Sequence, residues 1–161
     1  MKNHFSLFVQ QITNPLKYKL FLLFKLPMAF MAGLKIVEIN ESAASISVKY
    51  KWVNKNPFAS LYFAVLSMAG EMSTGLLAFG QIYKRNPTVS MLVVKLEAEF
   101  YKKAIGKIIF TCADGIKIKN AIEFAIETGD GQMVECITIG KNEMNETVAM
   151  FKITWSFKVK K

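Results

Sequence analysis

The sequence predicts an α+β domain in which an antiparallel sheet wraps one long apolar helix. Three observations carry that prediction. The stretch between Lys55 and Lys84 has helical periodicity and a single carboxylate, Glu71. Period-two alternation of apolar and polar residues occupies the chain on both sides of it. With 161 residues, 52% of them hydrophobic and 20% charged, the chain is long enough for one real core and too short for two. A helix apolar nearly all round has to be covered, and only a sheet is apolar enough to cover it.

Taken in order, the first 33 residues read as an N-terminal helical extension packed on a single domain that spans 34–161. Asn14 followed by Pro15 is a helix start, and Gly33 a helix end. The apolar stretch Leu20 to Leu34 is interrupted by Lys25 and Pro27, so no uninterrupted run of about 20 apolar residues exists and no stable membrane insertion is expected. Residues Asn14 to Phe24 have two readings. They pack on the domain, or they form an amphipathic helix that turns Lys17, Lys19 and Lys25 toward anionic lipid.

Leu34 to Ile39 is a short strand, Asn40 to Ser42 a turn, and Ala44, Ile46, Val48, Tyr50 and Trp52 alternate with polar residues as a half-buried strand. The central helix is expected from about Phe58 to Tyr83. Beyond Asn86-Pro87, Leu92, Val94, Leu96, Ala98 and Phe100 face one way, and Lys95, Glu97 and Glu99 the other. Strands near Gly106 to Cys112, Gln132 to Lys141 and Val148 to Val159 follow. A short helix near Lys117 to Thr128 interrupts them, and Gly129-Asp130-Gly131 turns the chain.

Composition narrows the chemistry. Lys and Arg outnumber Asp and Glu by 21 to 12, a net charge of +9, with the lysines scattered along the chain. They decorate solvated faces or collect a polyanionic ligand. No recognition helix, zinc-finger spacing or aromatic RNA-binding motif points to nucleic acid. Cys112 and Cys136 form no C-x-x-C pair, which fits a reduced, cytoplasmic setting and neither a zinc knuckle nor a disulfide framework. His4 is the sole histidine and lies near the terminus, which excludes most Ser-His or Cys-His catalysis and any His-rich metal site within one chain. Any chemistry must use a carboxylate.

Glu71 is that carboxylate. At about 100° per residue it projects beside Ala64 and Gly75, on the edge of the most apolar face. An unpartnered ionised carboxylate is costly there, and such a cost is tolerated for chemistry. Alternatively Glu71 lies in a polar seam between subunits or hydrogen-bonds to neighbouring backbone.

The order of elements resembles the hotdog fold. The stretches Asn56-Pro57-Phe58-Ala59-Ser60-Leu61-Tyr62-Phe63-Ala64, Met68-Ala69-Gly70-Glu71 with Gly75, and VVKLEAEFYKKAIG from Val93 to Gly106 are similar to the central helix and following strand of small hotdog acyl-CoA thioesterases. The likeness is greatest to a bacterial branch related to the phenylacetate-pathway enzymes. It covers about Leu34 to Val159 and implies hydrolysis of an acyl-CoA thioester, coenzyme A entering as part of the substrate and no separate cofactor or metal. Glu71 takes the place of the acidic nucleophile or general base, and Asn56, fifteen positions earlier, that of a residue holding substrate or water. Ser60, Tyr62, Phe63 and Ala64 fall on the substrate-binding stretch, with the Phe63 N–H at the helix start facing the thioester oxygen. A homodimer or homotetramer is expected, because pairing two subunits extends the sheet and completes the site.

The chain departs from the family where Tyr62-Phe63-Ala64 replaces the usual His-Gly-Gly and Val93 a usual hydroxyl residue. Side chains at Phe63 and Ala64 narrow the approach of a ligand to backbone, and Tyr62 is the donor available in place of histidine. Two other functions remain. One is a non-catalytic hotdog domain that binds an acyl chain or serves as an interaction module. The other, a hydratase, needs a carboxylate–histidine pair that the lone His4 does not supply.

Overall fold

The computed structural model describes residues 4–160. Three helices open the chain: α1 (His4–Ile12), α2 (Pro15–Lys25) and α3 (Pro27–Ala32). The single N-terminal helix expected from sequence is therefore divided. The Asn14 side chain caps α2 by accepting from the N–H groups of Leu16 and Lys17, both at 3.1 Å, and Pro27 ends it and starts α3. Gly33 closes the region in the left-handed conformation, φ +72°, its N–H bonded to Ala29 and Phe30 carbonyls.

The strands β1 (Lys35–Ile39) and β2 (Ala44–Lys49) lead to the central helix α4 (Phe63–Ile82). After it come β3 (Val89–Phe100), β4 (Lys107–Cys112), α5 (Gly115–Thr128), β5 (Gln132–Lys141) and β6 (Thr147–Val159). All six strands join in one antiparallel sheet in the order β1-β2-β4-β5-β6-β3. The inner side chains of β6, from Ala149 through Phe151, Ile153 and Trp155 to Phe157, are buried against the helix layer with Ile46, Val48, Ile108 and Phe110. One helix among the described residues is long and apolar enough to cross a membrane, and it is this core helix.

Three boundaries differ from expectation. Helix α4 begins at Phe63, five residues after the expected start at Phe58. The Asn56 carboxamide oxygen accepts from the N–H groups of Phe58 (2.9 Å) and Ser60 (3.2 Å), and Ala59 has φ +56°, so the apolar stretch starts as a loop. Strand β2 stops at Lys49. Trp52, placed on a buried strand face by alternation, instead begins a 3-10 turn and lies exposed. In β3 a bulge between Val93 and Lys95 shifts the register by one. Leu92 opposes Ser156 on the outer face, whereas Leu96, Ala98 and Phe100 oppose the inward Ile153, Phe151 and Ala149. The five apolar residues of this strand therefore do not share one face.

Strand β3 is an edge. It pairs only with β6, and its second half extends past the helix layer, leaving Leu96 43% and Phe100 48% exposed although both are on the inner face.

Candidate functional site

Three contacts fix the rotation of α4 on the sheet, and a fourth bond is internal to the helix. A Cβ on Gly70 would stand 2.6 Å from the Phe151 ring, so glycine lets the helix approach the sheet closely. Ser73 Oγ and Thr138 Oγ1 share a hydrogen bond of 2.7 Å in the core. The Trp155 indole N–H donates to Thr74 Oγ1 at 2.8 Å. The Thr74 hydroxyl donates to the Glu71 carbonyl at 2.9 Å.

With the buried face so anchored, Glu71 emerges on the side of α4 that faces α2 and the start of β3. It lines a cavity of about 340 Å³ walled by Phe21, Leu26, Leu76, Phe79 and Met91. Its Oε1 lies over Gly75, 3.1 Å from where a Cβ would be. Burial raises the Glu71 carboxyl above its ordinary value of 4.5. Lys25 is the only other ionisable group in this wall, and no ion pair joins the two. Among the described residues no hydrogen-bond donor reaches the carboxylate.

The remaining sequence-predicted residues collect elsewhere. A second cavity, of about 780 Å³, opens at the start of α4 between Phe63, Phe58 and Phe100, with Lys55, Lys102 and Lys103 around it. Asn56 and Ser60 form one side of it. The Asn56 Nδ2 donates to Ser60 Oγ at 3.0 Å, and together with the two backbone bonds to its Oδ1 this spends the side chain on its own loop. The Tyr62 N–H donates to the Asn54 carbonyl at 2.8 Å, and the Tyr62 ring packs edge-on against Phe63 with centroids 4.9 Å apart. The Phe63 and Ala64 N–H groups, in the first turn of a helix without a side-chain cap, donate to no acceptor among the described residues. Ala64 is half-buried on the same side of α4 as Glu71. Val93 opposes Trp155 in the sheet.

Glu71 and Phe63 are eight residues apart in one helix, which at about 1.5 Å per residue separates them by about 12 Å along the axis. One chain therefore does not bring the carboxylate and the free N–H groups to the same carbonyl. Sequence reasoning left open what the lysines at 102 and 103 do and missed both their place beside Asn56 and Ser60 and the α2 wall of the first cavity. Neither is a local motif, since both are assembled from segments far apart in the chain.

Among the described residues no group of three or more His, Cys, Asp and Glu side chains is placed to hold a metal ion. Cys112 and Cys136 are free and buried. The Asp114 N–H donates to Cys112 Sγ at 3.5 Å, and the neighbouring Cys112, together with burial, pushes the Cys136 thiol up.

No protein-family model and no curated protein matches the chain. Solved structures do. A Pseudomonas aeruginosa protein of unknown function, described as a "Probable Thioesterase", superimposes with a TM-score of 0.76 at 18% identity over 91% of this chain and 97% of its own. The fold is a hotdog. A thioesterase from Haemophilus influenzae shares it with a TM-score of 0.63 at 13% identity, over 87% of this chain and 88% of its own. A Chlorobaculum tepidum protein of unknown function reaches 0.76 at 15% identity, over 89% and 93%. At such identities the likeness is one of fold, and in hotdog terms α4 is the central helix and β3 the free edge of the sheet.

Proposed function

We propose that this protein hydrolyses acyl-CoA thioesters, with Glu71 as general base or nucleophile and no cofactor beyond the coenzyme A of the substrate. The observation that carries the reading is the unpaired Glu71 carboxylate in an apolar cavity of a hotdog domain. Ionised, Glu71 takes a proton from water as the water oxygen attacks the thioester carbonyl, or attacks that carbonyl itself and is released by water afterwards. The oxyanion is met by the N–H groups of Phe63 and Ala64 and the positive end of α4. With Glu71 as base, collapse of the tetrahedral intermediate breaks the C–S bond and Glu71 returns the proton to the departing thiolate; with Glu71 as nucleophile, the thiolate leaves as an anhydride forms, and the water that later cleaves the anhydride supplies the proton.

The separation of about 12 Å between Glu71 and those N–H groups calls for a second copy. In a dimer joined along β3, Glu71 of one subunit and the α4 start of the other face one substrate, and the exposed inner side chains Leu96 and Phe100 are covered. Asn56 then acts by holding the loop that presents Ser60, Tyr62 and Phe63. A Staphylococcus aureus thioesterase has been solved in variants that replace a glutamate and a glutamine, also fifteen positions apart, the separation of Asn56 and Glu71 here. In this reading Lys55 and Lys103, with Lys102 beside its partner Glu146, receive the phosphates of coenzyme A; their position around the second cavity supports it. The free thiols of Cys112 and Cys136 fit a cytoplasmic setting.

One observation favours a binding role without turnover. The Phe63 side chain, in the position the family gives to glycine, packs against Tyr62 and Phe100 in the mouth of the second cavity. Release of free coenzyme A, followed across short, medium and long acyl-CoAs, decides between them. Hydrolysis of any chain length supports the enzyme, and saturable binding without thiol release at every length supports the binding module.

A further inference from the structure

Helix α2 has two apolar faces, and the fold uses one of them. Tyr18 and Leu22 point inward and are buried. Leu16, Leu20, Leu23 and Phe24 recur at helical spacing on the opposite side and are exposed, Leu16 by 67% and Phe24 by 74%. On α3 the stripe continues through Met28, 65% exposed, and Met31. Such a contiguous apolar surface marks a contact site.

Its charge says what kind. At about 100° per residue, Lys17 and Lys19 flank the stripe on either side. Among the described residues Lys17 has the neutral Gln11 carboxamide as its side-chain partner. The first carboxylate of the sequence is Glu38, whereas five lysines, Lys2, Lys17, Lys19, Lys25 and Lys35, come before it, three of them in α2. A symmetric contact between two copies of this face would set lysine rims against each other with no acid on either helix to pair them. An apolar stripe with flanking lysines matches instead the boundary between headgroups and acyl chains, where apolar side chains enter and lysine stems reach back to phosphate.

We propose that the outer face of α2 and α3 docks on the surface of an anionic lipid bilayer. The contact lies in the interface and leaves the domain outside the membrane, and it is independent of the proposed hydrolysis.

The test is co-sedimentation of the full chain with vesicles of phosphatidylcholine alone and of phosphatidylcholine mixed with phosphatidylglycerol. Binding is expected to the mixed vesicles only and to weaken as salt rises. Leu20→Glu with Phe24→Glu, both at exposed positions, should keep the melting temperature and lose at least tenfold in vesicle binding. Lys17→Glu with Lys19→Glu leaves the apolar stripe untouched and should lose binding through charge alone. No pelleting with the mixed vesicles at low salt overturns the proposal, as does binding that both pairs of substitutions leave unchanged. A fall in the mass of the lipid-free Leu20→Glu, Phe24→Glu protein from oligomer to monomer assigns the face to a second copy and also overturns it.

Discussion

Trp155 on β6 donates its indole N–H to Thr74 on α4 at 2.8 Å, and this bond ties the rotation of the helix to the sheet one turn from Glu71. Removing the donor with Trp155→Phe leaves the core apolar but frees the helix to roll. Stability should fall by about 1–3 kcal/mol in urea unfolding, and thioester turnover should fall further than the stability loss accounts for. A folded Trp155→Phe protein with full turnover would show that the bond does not position the carboxylate.

Gly75 is the floor under that carboxylate. A Cβ there would meet Glu71 Oε1 at 3.1 Å and the Trp155 ring at 3.3 Å. Alanine also favours helix by up to about 1 kcal/mol over glycine, so Gly75→Ala should change stability by less than about 1 kcal/mol. Displacing the carboxylate should nevertheless lower turnover severalfold, read as kcat at saturating substrate. Equal kcat would mean that Glu71 is free to move without consequence.

Burial raises the Glu71 carboxyl above 4.5, so over the pH range between its unfolded and folded values the folded state binds more protons than the unfolded one. The stability this group contributes is therefore full below the unfolded value and is lost as pH rises through the folded one. The melting temperature of Glu71→Gln minus that of the wild type should grow from acid toward neutral pH and then level off. Turnover should rise with pH through the same window, as the base ionises. A difference in melting temperature that does not vary with pH would contradict the assignment.

The exposed inner residues of β3 set the assembly. Light scattering after size exclusion should give a dimer or a tetramer, and Leu96→Glu, at a side chain 43% exposed in one chain, should give a folded monomer without thioesterase activity. An active Leu96→Glu monomer would remove the shared site.

The layers were legible in the sequence because burial imposes a period. Of the helical repeat in the sequence, Leu61, Val65, Met72 and Leu76 are buried while Ala64, Met68, Gly75 and Phe79 are half-buried on the side of Glu71, and the period-two repeat from Ala149 to Phe157 reappears as a buried face. The β3 bulge was not legible, since Lys95, Glu97 and Glu99 alternate with Leu96, Ala98 and Phe100 without interruption. The extra residue shows only in the pairing with β6. The start of α4 was misplaced because Phe58 to Tyr62 is as apolar as the helix itself. A single side chain, Asn56, turns that segment into a loop. At the site, Glu71 stood out as a lone charge in an apolar run, whereas its anchors Trp155 and Thr138 come from strands more than sixty residues away. Spacing along the chain likewise concealed that Asn56 and Glu71 line different cavities.

Glu71→Gln keeps the shape of the side chain and removes its ionisable oxygen, so rate and melting temperature measured together on this one variant weigh the central claim. Thioesterase turnover should fall by about a hundredfold or more, while the melting temperature at neutral pH stays level or rises because a buried charge has gone. Comparable turnover in wild type and Glu71→Gln across short, medium and long acyl-CoAs would contradict the catalytic role, and a lower melting temperature would make Glu71 a satisfied structural carboxylate.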